Sequence, residues 1–218
     1  MSKQSKELTQ IYNRLFTHFG PQHWWPAKTP FEVIVGAILT QSTNWKNVEK
    51  AISNLKKHGL LTPKKILEIR SQELEKTIRP AGYFRAKAKK LKVFVGHIFK
   101  HHHGKLKNLF NQSVPKLREE LLDIHGIGPE TADSIILYAA NKPSFVVDAY
   151  TKRIGHRVGL FKYQKYKEIK EYYEKNLPRS VKIYNEYHAL LVELGKRFCK
   201  KKPECKKCPI KRQCYYGM

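Results

Sequence analysis

Residues 31–40, Phe-Glu-Val-Ile-Val-Gly-Ala-Ile-Leu-Thr, are apolar on nearly every side. That pattern predicts a helix in the middle of a bundle rather than on its surface. Further along, Ala51, Ile52 and Leu55, then Leu91, Val95 and Ile98, then Leu117, Leu121 and Leu122 recur at the three-to-four-residue spacing of amphipathic helices. The eleven prolines fall between these periodic segments or at their first turns, where a missing N–H is not needed. Only Ser144-Phe145-Val146-Val147 reads as strand, and four residues without a pairing partner cannot make a sheet, so an extended connector is expected there. No self-similar period of 20–50 residues suggests a solenoid. The expected fold class is all-α.

Composition adds a partner. The 218 residues suffice for one large or two small domains, and 41% hydrophobic content describes a globular chain. Lysine plus arginine number 43 against 18 acidic residues, a balance of +25. A phosphate polymer would relieve that self-repulsion, so nucleic acid is the first partner to consider. The amino terminus lacks the apolar core of a signal peptide, and no apolar run reaches the roughly 18 residues needed to span a bilayer. A cytoplasmic, nucleoid-associated protein is expected. Membrane attachment is not, because the basic charge is spread along the chain instead of clustered beside an anchor. The run His101-His102-His103-Gly104 reads as a solvated helix end rather than a metal site, since adjacent side chains diverge.

Residues 121–134 read Leu-Leu-Asp-Ile-His-Gly-Ile-Gly-Pro-Glu-Thr-Ala-Asp-Ser, between an apolar helix and the continuing Ile135-Ile136-Leu137. Two glycines around one isoleucine permit a tight turn in which backbone N–H groups face outward and the isoleucine packs inward. Pro129 would then open a second helix whose amino-terminal dipole adds to anion attraction. His125, Gly126, Ile127 and Gly128 are therefore candidate DNA-backbone contacts. Some twenty residues on comes Val146-Val147-Asp148-Ala149-Tyr150-Thr151-Lys152-Arg153, an acidic residue leading into another helix.

Here the chain resembles a known family. Leu122-x-x-x-Gly126-Ile127-Gly128-x-x-Thr131-Ala132, followed by Val147-Asp148 and Arg153, is similar to the helix-hairpin-helix and catalytic aspartate of the endonuclease III superfamily of DNA glycosylases. Gly36-Ala37-Ile38-Leu39-Thr40-Gln41-Ser42-Thr43 and Gly82-Tyr83-Phe84-x-x-Lys87-Ala88 extend the likeness from residue 31 to the carboxyl end. The resemblance implies a helical barrel with the hairpin over 22–136. It also implies a second helical domain from 1–21 plus 137–218, with a DNA cleft between the two.

All four cysteines lie near the carboxyl terminus, at Cys199, Cys205, Cys208 and Cys214. In a reducing compartment such clustering favours a metal or cluster over disulfides. Four thiolates suit structural zinc, but a single C-x2-C with wide outer loops fits a larger cluster better. The resemblance implies a [4Fe-4S] cluster, although the family's usual first gap is six residues and here it is five. Lys207 and Lys211, within a run of lysines interleaved with the cysteines, are candidate phosphate contacts.

In lyase members of the superfamily a lysine just before the Thr-Ala of the hairpin's second helix attacks the sugar; Glu130 stands here. A carboxylate cannot form an imine, so a monofunctional enzyme using water is expected. Asp148 would stabilise the oxocarbenium-like sugar or position water, while also serving as a helix cap. Gln41 resembles the residue that fills the base stack after extrusion of the target, and it can equally cap the buried helix. Trp24, Trp25 and Trp45 are the only tryptophans, and their faces suit cationic alkylated purines as well as they suit packing. With Trp24-Trp25-Pro26, Leu39-Thr40-Gln41-x-Thr43 and Glu130, the chain is similar in its pocket motifs to the 3-methyladenine DNA glycosylase III branch. The expectation is a monomeric glycosylase that releases alkylated bases from double-stranded DNA, with Trp24, Trp25, Trp45 and Glu130 lining the pocket. The alternatives are a glycosylase/lyase acting on oxidised pyrimidines and a non-catalytic DNA-damage binding protein.

Overall fold

The structure, a computed structural model, describes residues 2–162 and 165–217. Among them are twelve α-helices and no strand. The helices are α1 (Lys3–Phe19), α2 (Pro30–Leu39), α3 (Trp45–Lys57), α4 (Pro63–Glu68), α5 (Ser71–Thr77) and α6 (Phe84–His102), then α7 (Leu106–Phe110), α8 (Val114–Asp123), α9 (Pro129–Ser134), α10 (Ala149–Val158), α11 (Tyr166–Asn176) and α12 (Val181–Arg197). The chain packs as two compact units, Ala27–Lys142 and Met1–Pro26 with Pro143–Met218; the sequence reading set the junctions at 21 and 136. Residues 137–142 stay with the first unit because α9 runs on through a wider π-type turn, Ile135–Ala139, and Lys142 N–H donates to Ile136 O at 3.0 Å. No described helix is long and apolar enough to cross a membrane.

In the 27–142 unit, α2 is the centre. Thr29 Oγ1 accepts from Glu32 N–H at 3.1 Å, Pro30 fills the first position, and Glu32 Oε2 accepts from Lys28 N–H at 3.1 Å. Start signals of this kind satisfy donors that the first turn leaves open. Residues 31–39 are all buried, as the continuous apolar run predicts. Glu32, the one charge among them, is answered by Lys56 Nζ of α3 at 2.5 Å. Ala51, Ile52 and Leu55 of α3, Leu91, Val95 and Ile98 of α6, and Leu117 and Leu121 of α8 are buried; Leu122 lies half-buried at the edge. Each fully buried leucine or isoleucine contributes about 1.5–3 kcal/mol, so these stripes dominate the unit's stability. The segment before α6 explains its own motif. Gly82 and Tyr83 take positive φ of 67° and 45°, and the buried Lys87 turns back to donate to Ala81 O at 2.8 Å. Burial, with help from the charge of Lys90, lowers the Lys87 pKa to about 8.

The second unit is built on aromatic packing. Phe145 stacks on Tyr173 with centroids 4.3 Å apart and meets Tyr184 edge-on at 5.5 Å. Tyr187 Oη donates to Leu8 O at 3.0 Å, tying α12 to α1. Burial pushes the Tyr184 phenol up to about 12 and raises Tyr173 and Tyr187 as well. Residues 144–147 lie outside any helix or strand and lead into the extended Asp148, as a connector should. Their buried backbone groups need partners all the same. Side chains supply them: Glu174 Oε1 accepts from Phe145 N–H at 2.8 Å, and Tyr166 Oη accepts from Val147 N–H at 3.4 Å. Lys170 Nζ, itself buried, donates to Ser144 Oγ and to Glu174 Oε1, both at 2.6 Å.

Candidate functional site

The hairpin joins α8 to α9. Ile127 N–H donates to Ile124 O at 3.0 Å and the Ile127 side chain is buried, as the turn chemistry predicts. Gly126 has φ +90°, and a Cβ there would lie 2.4 Å from Lys90 Cγ, so both conformation and space demand glycine. Gly128 caps α9, with Pro129 at its first position. His125 is exposed at the tip, and Glu130 is exposed in the first turn of α9. Beneath the turn, Arg118 of α8 grips the wholly buried Asp133 of α9 through a two-pronged contact, Nε–Oδ1 3.0 Å and Nη2–Oδ2 3.2 Å. Such a fork fixes the crossing of the two helices.

Gln41 follows the end of α2 and reaches the hairpin. Its Nε2 donates to Gly126 O at 3.1 Å and Thr131 Oγ1 at 3.0 Å, and its Oε1 accepts from Lys90 Nζ. In this state the carboxamide braces the hairpin against the bundle. Trp45 opens α3, half-buried, with Nε1 donating to Glu49 Oε1 at 2.9 Å. The histidine run divides. His101 and His103 are exposed, and His103 takes the left-handed cap of α6. His102 departs from the expected solvated end, because it and His97 both turn to Glu120 of α8. Although burial opposes it, hydrogen bonds from His102, His97 and Gln112 hold the Glu120 carboxyl down at about 2.

Within the other unit, Asp148 ends the extended segment and caps α10, its Oδ1 accepting from Thr151 N–H at 2.7 Å. Oδ2 lies 3.7 Å from His188 Nε2 of α12. The Asp148 side chain is 15% exposed, shielded from bulk water yet reachable. Burial lowers the His188 pKa against the opposing pull of Asp148, which favours a neutral ring. Capping through Oδ1 thus leaves Oδ2 outside the cap interaction. Trp24 and Trp25 are half-buried with ring centroids 5.5 Å apart, and the Lys196 ammonium lies 5.4 Å from the Trp24 ring.

The far end of α10 holds the cysteine loop. Arg153 Nε donates to Cys199 O at 2.8 Å, and Arg157 donates to Lys200 O at 2.6 Å and Lys201 O at 2.9 Å. Cys199, Cys205, Cys208 and Cys214 carry no disulfide and line one recess whose walls include Ile154, Val158, Leu194 and Ile210. Burial pushes the thiols of Cys208 and Cys214 up, and charge on neighbouring cysteines adds to it. Four sulfurs gathered in an apolar recess become stable thiolates only with a cation among them, so the donor set fits a metal centre. Lys207 and Lys211 are exposed on the loop's outer side.

Sequence reading missed the side chains that hold these segments: Arg118 and Asp133, Lys90, Lys170 and Glu174, and His188. None stands in a recognisable motif. Apart from the Lys170–Glu174 pair, four residues apart, their partners are 15 to 49 residues away along the chain, and the buried charge at Lys170 and Asp133 marks them out once the fold is known.

The family profile described as HhH-GPD superfamily base excision DNA repair protein matches residues 35–179. A Methanocaldococcus jannaschii protein assigned as a DNA repair glycosylase is 52% identical over 210 residues, covering 95% of each chain. The Helicobacter pylori 3-methyladenine DNA glycosylase MagIII, solved with 1,N6-ethenoadenine, superposes with a TM-score of 0.79 at 30% identity, over 90% of this chain and 98% of its own. A trapped covalent endonuclease III–DNA intermediate superposes with a TM-score of 0.85 at 23% identity over 100% of this chain and 98% of its own, a likeness of fold.

Proposed function

The chain belongs to the HhH-GPD superfamily of base excision DNA repair proteins, and from that premise we propose a monofunctional DNA N-glycosylase that hydrolyses the glycosidic bond of alkylated purines of the 3-methyladenine type. That it is a DNA repair glycosylase with an endonuclease III-like fold follows from the family; the substrate and the water mechanism are our reading. The observation that carries it is Asp148, a partly accessible carboxylate with one oxygen spent on the α10 cap and the other 3.7 Å from the buried His188.

In this reading the damaged nucleotide leaves the duplex before reaction. As the glycosidic bond breaks, its electron pair goes with the base, and positive charge grows on the sugar beside Asp148. A purine already cationic from alkylation departs neutral, so no acid is needed at the leaving group. Water then adds at the sugar carbon and gives its proton to Asp148 or solvent. Glu130, in place of an amine, supports hydrolysis without an imine. Trp24, Trp25 and Trp45 supply the aromatic faces for the base, as the likeness to the MagIII enzyme supports. His125, Gly126, Ile127 and Gly128 of the hairpin, with Lys207 and Lys211, bind double-stranded DNA through its phosphates, and Gln41 enters the vacated stack by exchanging its present partners for base edges. Cys199, Cys205, Cys208 and Cys214 would hold a [4Fe-4S] cluster, with zinc as the second choice, and the bound group would supply a rigid closure of the loop. The protein acts as a monomer.

The test is base release from duplexes carrying 3-methyladenine, 7-methylguanine or thymine glycol, with strand cleavage scored separately and borohydride present in a parallel arm. Release of methylated purines without a trapped adduct is expected. A borohydride-trapped adduct on thymine glycol would replace this reading with a lyase, and release from none of the duplexes would leave a binding protein.

A further inference from the structure

We propose that His97, His102 and Glu120 form a site for a divalent transition-metal ion of the zinc type, clasping the end of α6 to α8. His97 Nε2 lies 2.6 Å and His102 Nε2 2.5 Å from the same carboxylate oxygen, Glu120 Oε1. The three atoms lie within 4.8 Å of one another. Ligands about 2.0–2.2 Å from one ion sit roughly 3–4 Å apart, so a small adjustment of these side chains admits it.

Several features separate this cluster from an ordinary surface ion pair. The side chains are only 20%, 12% and 22% exposed, at the junction of two helices. As hydrogen bonds alone, two rings must each keep a proton on Nε2 and crowd one oxygen; an ion takes the place of both protons. The second carboxylate oxygen is already engaged, because Gln112 Nε2 donates to Glu120 Oε2 and also to Leu109 O at 3.3 Å. That contact turns Oε1 toward the histidines, as an outer-shell partner of a metal ligand does. Two imidazoles and one carboxylate leave a fourth position for water and suit zinc, cobalt or nickel better than magnesium or calcium. The site is separate from the cysteine loop, and its effect is mechanical: α8 is the first helix of the hairpin, and an ion on Glu120 would pin it to α6 as Arg118 and Asp133 pin it to α9. His101, whose ring lies 4.6 Å from that of His97, is exposed and outside the ligand set.

Co2+ is the probe, because its absorption edge is distinct from those of the iron or zinc proposed for the cysteine loop. Protein as isolated, freed of loosely held metal by dialysis, is equilibrated with Co2+ and analysed for bound cobalt. One cobalt per chain is expected, with the cobalt edge showing imidazole scattering and a nitrogen/oxygen shell at about 2.1 Å. His101→Asn should bind as the parent does, Gln112→Ala about 10–100-fold more weakly, and the double variant His97→Asn/His102→Asn not measurably. Co2+ should raise the melting temperature of the parent and not that of the double variant. No cobalt bound by the parent, or a sulfur shell at about 2.3 Å, overturns the proposal without recourse to any variant. Undiminished binding in a folded double variant overturns it equally.

Discussion

Both compact units hold a working segment with a buried ion pair, but they do so over different reaches of chain. In the 27–142 unit, Arg118 and Asp133 lie 15 residues apart on the two helices of the hairpin they brace. In the other unit, Lys170 and Glu174 sit on one turn of α11 and reach Ser144 and Phe145, 25 to 29 residues upstream, to set the segment that ends at Asp148. The α10 arginines reach 42 to 46 residues downstream to the cysteine loop. The ion pair that braces the hairpin is therefore local, and Gln41 and Lys90 reach the turn from outside it. The Asp148 segment is held by residues scattered along the chain. A locally encoded element keeps its shape under distant change, whereas a distributed one inherits every perturbation of its supports.

Removing the charge that the distributed supports serve should have the greatest consequence. Asp148→Asn should lower base release by about 10²–10³-fold while Asn keeps the α10 cap, so stability falls by less than about 1 kcal/mol. Undiminished release in the folded variant would take catalysis away from this unit. Next, Cys208→Ser should cost more than about 3 kcal/mol in thermal denaturation through loss of the bound group. Hydrogen exchange should show the loss in residues 143–217 and leave 27–142 protected. Protection lost equally in both would erase the contrast.

The two ion pairs sharpen it further. Asp133→Ala should cost about 3 kcal/mol, because it strands Arg118, and should weaken DNA binding more than turnover at saturating DNA. Lys170→Met should cost about 2 kcal/mol and do the reverse, lowering turnover with DNA affinity nearly kept. Titration of both variants with damaged duplex, followed by single-turnover kinetics, separates these outcomes. Gly126→Ala forces a side chain to φ +90° against Lys90 and should cost about 1–2 kcal/mol, read by denaturation, with a matching loss of DNA affinity.

The smallest effect is a pH dependence behind Asp148. Burial sets the folded-state pKa of His188 below its ordinary value of 6.5, so the unfolded chain binds the proton first. Stability from this group is complete above about pH 6.5 and declines as pH falls toward the folded-state pKa. Denaturation from pH 7.5 to 5 should show that decline in the parent and a shallower one in His188→Asn.

The all-α class, the burial of residues 31–39, the glycine-bounded hairpin, the non-helical connector before Asp148 and the gathering of four cysteines in one loop were all legible in the amino-acid order. Each rests on neighbours in the chain: apolar period, proline and glycine geometry, or ligand spacing. Which side chains hold those parts emerged from the packed fold. Gln41 braces the hairpin, His188 stands behind Asp148, Arg153 and Arg157 clamp the cysteine loop, and His102 turns inward to Glu120 instead of outward to water. Residues of ordinary type at unremarkable positions acquire such roles because burial removes water as a partner and leaves each polar group to whatever donor or acceptor the fold brings within reach.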